Sequence, residues 1–229
     1  AHNARGWSNS LMNLEIEGYE WLSREIQWHS YYTRSACFFD EYFQNHRFPQ
    51  GSIYQFGHGL DGAIRDYSLY LHPIILTNPK LAREYILYML QLMEPDGMLP
   101  YSVYGFAKTF TGSVHSNPSD LYLFLLWAIL QYLYLTQDFD FLKEKVNFYP
   151  KISKESTVLD RIYLTLNYLF SDKVGFGKHG LLKINDGDWS DGISLMVKKR
   201  KKFIKYGEST FNSALGLYVF RKLIPLLEN

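Results

Sequence analysis

The segment Leu121–Leu135, with the sequence LYLFLLWAILQYLYL, decides the fold class of this chain. Nearly all of its residues are apolar, and several of them are aromatic. The run contains Gln131 and falls short of the ~18 uninterrupted apolar residues that indicate a transmembrane helix. We therefore predict that this segment is a helix buried in a protein core, and that the chain does not span a membrane.

Helical signals continue on both sides of this segment. Apolar residues recur at spacings of three and four, which is typical of helices with one buried face. Asn117 can cap the central helix, Pro118 can take its first position, and Asp120 suits its positive end. The predicted helices cover residues 15–39, 63–76, 79–93, 118–136, 140–146, 157–170 and 208–227, with a weak strand signal at 180–184.

These helices alternate with short turns on one side and long loops rich in Gly and Asp on the other. That alternation predicts an all-α chain of stacked helical hairpins, forming a single catalytic-type domain over residues 1–229. No sequence repeat of fixed period is visible, which favours a toroid over a regular solenoid. In a toroid the long loops gather at one end, and here they cover residues 51–66, 96–118 and 175–208.

Composition excludes several function classes. The net charge of +1 produces no global field for nucleic acid or a membrane surface. One basic cluster, Lys198–Lys202 with Lys205, is interpreted as a solvated loop. The single cysteine, Cys37, leaves no internal disulfide, and the seven histidines lack paired metal-ligand spacing, so we expect no metal. No secretory signal precedes the first segment, which favours a cytoplasmic location.

The motif Asp188-Trp189-Ser190-Asp191-Gly192 carries the most chemistry. Carboxylates beside an indole suit a sugar, because they can bind hydroxyl groups or transfer a proton while the flat ring covers the apolar face of a pyranose. Asp, Asn and Gly are also ordinary turn residues, so a surface turn is the alternative.

Three further clusters lie in the same long loops or at the helix starts beside them. Arg65 and Asp66 begin a helix, where they either face the site or form structural ion pairs. His115 either points into a cleft or is a polar loop residue. Glu208 is either a second functional carboxylate or part of the first turn of the last helix.

The order of these clusters resembles the inverting glycoside phosphorylases of the cellobiose and chitobiose type, glycoside hydrolase family 94. Their Gly-Asp-Trp-Asn-Asp-Gly-Met motif is similar to residues 187–193, with Ser190 in place of Asn and Ile193 in place of Met. The resemblance implies an (α/α)6 barrel, with Asp191 as general acid. It implies that the sugar beside the cleaved bond is held by Arg65, Asp66, Trp189 and Asp188.

The resemblance covers only part of such an enzyme. The family's N-terminal β-sandwich and the later part of its barrel have no counterpart in this chain. The resemblance therefore implies an incomplete toroid, completed by additional segments or a second chain.

The expected activity is inverting phosphorolysis of a β-linked oligosaccharide, with inorganic phosphate as co-substrate and no cofactor. Two alternatives stay open. One is an inverting hydrolase that uses Glu208 or Asp66 as base, since inverting hydrolysis needs both an acid and a base. The other is a carbohydrate-binding helical domain without catalysis. Neither the sugar nor its linkage is predicted.

Overall fold

A computed structural model of the chain describes residues 6–48, 62–104, 107–109, 115, 117–150, 152–190 and 192–228. The predicted acid Asp191, the Gly-rich stretch 50–61 and parts of the predicted loop 102–117 lie outside these residues. Helices predominate in the described part of the chain, which confirms the predicted all-α class. In order, the helices are α1 Glu20–Ser35, α2 Ile64–Thr77, α3 Pro79–Leu92, α4 Asp120–Thr136, a 3-10 helix Phe139–Lys143, α5 Val158–Phe170, α6 Ile193–Met196, α7 Arg200–Tyr206 and α8 Thr210–Glu228.

Helix α4 lies at the centre of the core. It contacts α2, α3, α5 and α8, and residues on all of its faces are buried from Asp120 to Leu133. A helix that is hydrophobic all round is stable only when other elements surround it. The sequence-based prediction of a buried helix is confirmed as far as Leu133, whereas Tyr134 and Leu135 at its end are exposed.

Helices α2 and α3 form a helical hairpin, and Asn78 is the one residue between them. The Asn78 side chain accepts a hydrogen bond from the Leu81 N–H at 3.2 Å, and Pro79 takes the first helical position. This arrangement satisfies one of the free N–H groups at the start of α3. The predicted helix boundary at Asn78 and Pro79 is therefore confirmed.

The turn after α3 requires its glycine. Gly97 has a φ of +94°, and a Cβ there would lie 2.7 Å from the carbonyl oxygen of Leu164 in α5. Its left-handed backbone and its close approach to α5 both exclude a side chain. This turn brings α5 against the end of α3.

Three small antiparallel sheets accompany the helices in the described residues. Their strands are β1 Phe38–Asp40 with β2 Asn45–Arg47, β3 Gly62–Ala63 with β4 Ser102–Tyr104 and β5 Ala107–Thr109, and β6 Lys145–Phe148 with β7 Ile152–Thr157. In register, Phe38 faces Arg47, Gly62 faces Val103, and Lys145 faces Thr157. The second sheet joins the start of α2 to the segment before α4.

The first predicted helix is too long, because tertiary contacts override its periodicity. The structure ends α1 at Ser35, and Phe38–Asp40 pairs as a strand instead. Arg47 on the facing strand forms an ion pair with Asp40, and its guanidinium lies 5.5 Å from the ring centroid of Phe38. The cation–π contact favours the hairpin, and both contacts would be lost if the helix continued through Phe38–Asp40.

The predicted start of α4 is also wrong. The helix begins at Asp120 after Ser119, and neither Asn117 nor Pro118 is part of it. The Asn117 N–H donates to Asp186 at 3.0 Å, and Pro118 pairs with Asn185 in an isolated β-bridge. Contacts with residues 185 and 186 therefore hold Asn117 and Pro118 outside the helix.

Three shorter predictions change as well. Residues 140–146 divide between the 3-10 helix and strand β6. Residues 180–184 form only isolated bridges, Phe176 with Leu182 and Lys183 with Glu208. The basic cluster is exposed, as expected for a solvated segment, but much of it lies in helix α7 and not in a loop.

Candidate active site

Four parts of the chain meet around the motif loop, which we define as residues 183–190. They are the loop itself, the start of α2, the start of α4 and the start of α8. Backbone pairing joins three of them: Pro118 bridges Asn185, Lys183 bridges Glu208, and the Ser119 N–H donates to the Gly187 carbonyl at 3.2 Å. The start of α2 is joined to the loop by the Arg65 side chain. Segments far apart in sequence thus reach one end of the helical core.

Arg65 connects the motif loop to α4. Its Nη1 donates to Asp120 Oδ2 at 3.0 Å and to the main-chain oxygen of Asp188 at 2.9 Å. Arg65 and Asp120 are both buried, so little solvent screens the interaction between their charges. One guanidinium therefore aligns the motif loop with the central helix.

Trp189 covers this buried cation from the solvent side. The Arg65 Cζ lies 5.8 Å from the centroid of the Trp189 ring, and the Phe124 ring lies 6.0 Å away. The Trp189 side chain nevertheless stays 52% exposed. Cation–π attraction and ring packing orient the indole while leaving part of its surface open to a ligand.

The side chain of Asp188, within the motif loop, is buried. Its Oδ1 accepts a hydrogen bond from the Ser190 N–H at 2.9 Å, and its Oδ2 accepts one from the Ser209 hydroxyl at 2.6 Å. The loop then turns, with the Ile193 N–H donating to the Ser190 carbonyl at 3.0 Å. Asp191, which follows Ser190 in the sequence, lies outside the described residues.

His115 packs under Gly187 at the start of the motif. It is buried, with Nδ1 placed 2.8 Å from the main-chain oxygen of Asp186. A Cβ on Gly187 would lie 2.5 Å from the imidazole ring, so only glycine fits there. His115 therefore contacts the motif from within the core. Asp66 lies in the first turn of α2, directly after Arg65, and is half-buried.

Glu208 belongs to a different set of contacts. Its carboxylate accepts hydrogen bonds from the N–H groups of His179 and Leu181, each at 3.2 Å, and lies 3.0 Å from His179 Nδ1. Burial acts to raise the pKa of Glu208, but these hydrogen bonds outweigh it and leave the pKa below its ordinary value. The structure thus directs this carboxylate to the 177–181 turn, away from the contacts that join Arg65, Asp188 and Trp189.

Sequence reasoning missed three residues that support the loop. The Ser119 hydroxyl donates to the Lys183 carbonyl at 2.7 Å and accepts from Asn212 Nδ2 at 2.8 Å. The Ser209 hydroxyl accepts from the Asn212 N–H at 3.0 Å. The available signal for Ser209 was a serine near the start of the last predicted helix, since serine commonly caps the N–H three residues further along.

No group of three or more His, Cys, Asp or Glu residues in the described part of the chain is arranged to hold a metal ion. Within the same residues, no helix has the length and apolar character needed to cross a membrane.

Comparison with known proteins now identifies the family. The sequence matches the Glycosyl hydrolase 94 superfamily, catalytic domain, over residues 7–229. The chain belongs to this superfamily. The resemblance inferred from the motif is thereby confirmed at the level of the family.

A relative with an assigned activity adds to this result. It is a 3-O-beta-D-glucopyranosyl-beta-D-glucuronide phosphorylase from Paenibacillus borealis, 26% identical over 153 residues. The matched region covers 67% of this chain but only 19% of the relative, so this chain corresponds to a minor part of that protein.

Proposed function

We propose that this chain forms part of the catalytic centre of an inverting glycoside phosphorylase, which cleaves a β-linked oligosaccharide with inorganic phosphate and releases a sugar 1-phosphate. The observation that carries the proposal is the half-exposed Trp189 packed over the buried Arg65, beside the position of Asp191 in the sequence. Membership of the glycosyl hydrolase 94 superfamily and a relative named as a phosphorylase support it.

In the proposed reaction the exposed indole of Trp189 covers one face of the sugar beside the cleaved bond. Asp191 donates its proton to the glycosidic oxygen, so the leaving sugar departs as an alcohol. A phosphate oxygen attacks the anomeric carbon from the opposite face, which inverts its configuration. Phosphate is already an anionic nucleophile, so the reaction needs no general base, unlike inverting hydrolysis.

The geometry of Glu208 weighs against the hydrolytic alternative. A base would have to hold a water molecule near the anomeric carbon, but this carboxylate is hydrogen-bonded to the turn at His179 and Leu181. We therefore assign Glu208 to the support of that turn. Asp66, adjacent to Arg65, is proposed to bind sugar hydroxyls.

Further helical hairpins are proposed to complete the barrel, supplied by additional segments or a second chain. The support is the outer face of α8, where Leu217, Tyr218 and Ile224 are all exposed. The mass of the chain in solution tests this idea, because a dimer is expected if a second copy supplies the missing hairpins.

Phosphate-dependent turnover tests the proposed reaction. The chain would be incubated with β-linked glucosyl disaccharides, including a 3-O-β-D-glucopyranosyl-glucuronide, with and without inorganic phosphate, and sugar 1-phosphate would be measured. Asp191→Asn should lower turnover about 100- to 10,000-fold, because proton transfer by a positioned acid contributes that much. Asp140→Asn is the control, since Asp140 is exposed and pairs only on the surface with Lys143.

Two results would contradict the proposal. Near-normal turnover by Asp191→Asn would show that this residue is not the acid. Sugar release that is independent of phosphate would identify a hydrolase instead.

A further inference from the structure

The first turn of α8 is joined to the motif by a short, buried hydrogen bond. The Ser209 hydroxyl donates to Asp188 Oδ2 at 2.6 Å, and both residues are almost fully buried. The same hydroxyl accepts from the Asn212 N–H at 3.0 Å, so its proton is directed towards the carboxylate. Hydrogen bonds to a charged acceptor are about twice as strong as neutral ones, particularly where water is excluded.

This bond holds the residue from which the rest of the motif extends. Asp188 is held at three points: by Ser209 at Oδ2, by the Ser190 N–H at Oδ1, and by Arg65 at its main-chain oxygen. The negative charge also lies near the positive end of α8, which favours it electrostatically. Trp189 and Ser190 follow directly, so their positions depend on how firmly Asp188 is fixed.

A second connection leaves the same turn of α8. Asn212 Nδ2 donates to the Ser119 hydroxyl at 2.8 Å, and this hydroxyl donates to the Lys183 carbonyl at 2.7 Å. Asn212 and Ser119 are fully buried. The start of α8 therefore holds the motif loop at two points, Lys183 and Asp188.

We propose that Ser209 is a positioning residue for the acid Asp191, acting through Asp188 and not through contact with the substrate. Asp188 is then the buried anchor of the loop and not a ligand of the sugar. This inference rests on the proposed role of Asp191 as general acid. Without the Ser209 hydroxyl, Asp188 and Ser190 would be held less firmly, and the proposed proton transfer by Asp191 would slow.

Comparing substrates with poor and good leaving groups distinguishes a misplaced acid from a general loss of structure. In a disaccharide the leaving group is the oxygen of a sugar hydroxyl. This oxygen leaves poorly as an anion and needs the proton from the acid. A 2,4-dinitrophenolate is a good leaving group and needs little proton donation. A misplaced acid should therefore slow the disaccharide reaction and largely spare the 2,4-dinitrophenyl β-glycoside, whereas a partly unfolded site should slow both equally.

The experiment compares Ser209→Ala, Ser209→Thr and Ser213→Ala with the unchanged protein. Ser213 is the matched control: it lies one turn further along α8, and its hydroxyl contacts the Leu182 N–H and the Ser209 carbonyl, outside the motif. Ser209→Ala should lower kcat for the disaccharide about 100-fold, the scale expected from a displacement of ~1 Å at a reacting group. KM should change little, Ser209→Thr should restore most of kcat, and Ser213→Ala should behave like the unchanged protein.

Amide hydrogen exchange gives a readout that does not require activity. Ser209→Ala should accelerate exchange in residues 185–190, while Ser209→Thr should not. Equal losses on both substrates, or unchanged exchange in the motif loop, would overturn the inference. If the unchanged protein shows no phosphate-dependent turnover, the proposed function fails, and the exchange experiment still decides whether Ser209 fixes the loop.

Discussion

Gly187, the first residue of the Gly-Asp-Trp element, is required by packing. A Cβ at this position would lie 2.5 Å from Cε1 and Nδ1 of His115. The imidazole is only 1% exposed, and its Nδ1 lies 2.8 Å from the Asp186 carbonyl, so the ring has little room to move. The motif therefore rests directly on a buried side chain, and the loop can approach the core this closely only without a side chain at Gly187.

Replacing Gly187 with alanine tests this contact. Gly187→Ala should lower the free energy of unfolding by about 1–3 kcal/mol, the usual cost of overpacking a dense interior. Denaturant unfolding measures the change, and Gly6→Ala serves as control because a Cβ on Gly6 meets no atom within 4 Å. The double variant Gly187→Ala/His115→Ala should be less destabilised than the sum of the two single changes. Strict additivity would show that the two positions do not interact.

The turn between α5 and α8 is organised by one carboxylate. Glu208 accepts hydrogen bonds from the N–H groups of His179 and Leu181, and a Cβ on Gly177 would lie 2.3 Å from its side chain. The turn thus wraps closely around a side chain that comes from the start of α8. Since Lys183 bridges Glu208, the support extends to the beginning of the motif loop.

This arrangement predicts a specific pH dependence of stability. The pKa of Glu208 lies below its ordinary value of 4.5, so its charged form stabilises the folded state above that pH. The contribution is lost as the pH falls through the lowered folded-state pKa. Glu208→Gln should therefore melt at a lower temperature than the unchanged protein at pH 7, and the difference should shrink towards pH 3. Glu17→Gln, an exposed change ahead of α1, should show no such trend; a gap for Glu208→Gln that is constant with pH would contradict the assignment.

Local sequence signals predicted the elements whose boundaries depend on their own residues. Asn78 and Pro79 mark the junction of α2 and α3 because a side-chain cap and a fixed φ act within one turn. The predictions were wrong where a residue outside the predicted helix competes for its end. The start of α4 shifts because Asp186 binds the Asn117 N–H, and α1 ends early because Arg47 pairs with Asp40. Periodicity alone contains no information about either partner.

At the scale of the whole molecule, the motif loop and the starts of α2, α4 and α8 meet at one end of the helical core. Arg65 reaches Asp120 across 55 positions and the Asp188 carbonyl across 123. The order of the sequence clusters led us to expect Arg65 in the same site as the motif, and its bond to the Asp188 carbonyl agrees with this. The ion-pair partner of Arg65 was not predictable, because that depends on how α2 packs against α4. Ser119, Ser209 and Asn212 were missed for the same reason, since their hydrogen bonds join elements that meet only in the fold.

We predict that the chain binds a sugar in the absence of phosphate. Trp189 presents a half-exposed ring, so we expect monosaccharides matching the cleaved sugar to raise the melting temperature without phosphate. At about ten times the dissociation constant, such a ligand stabilises the folded state by about 1.4 kcal/mol. Trp189→Ala should abolish the shift, while Trp28→Ala on α1, with a similarly exposed side chain at 57%, should keep it. A sugar-induced shift without any phosphate-dependent turnover would identify a carbohydrate-binding domain. A shift produced by phosphate alone and retained in Trp189→Ala would instead show that this chain binds the anion without the further hairpins proposed to complete the barrel.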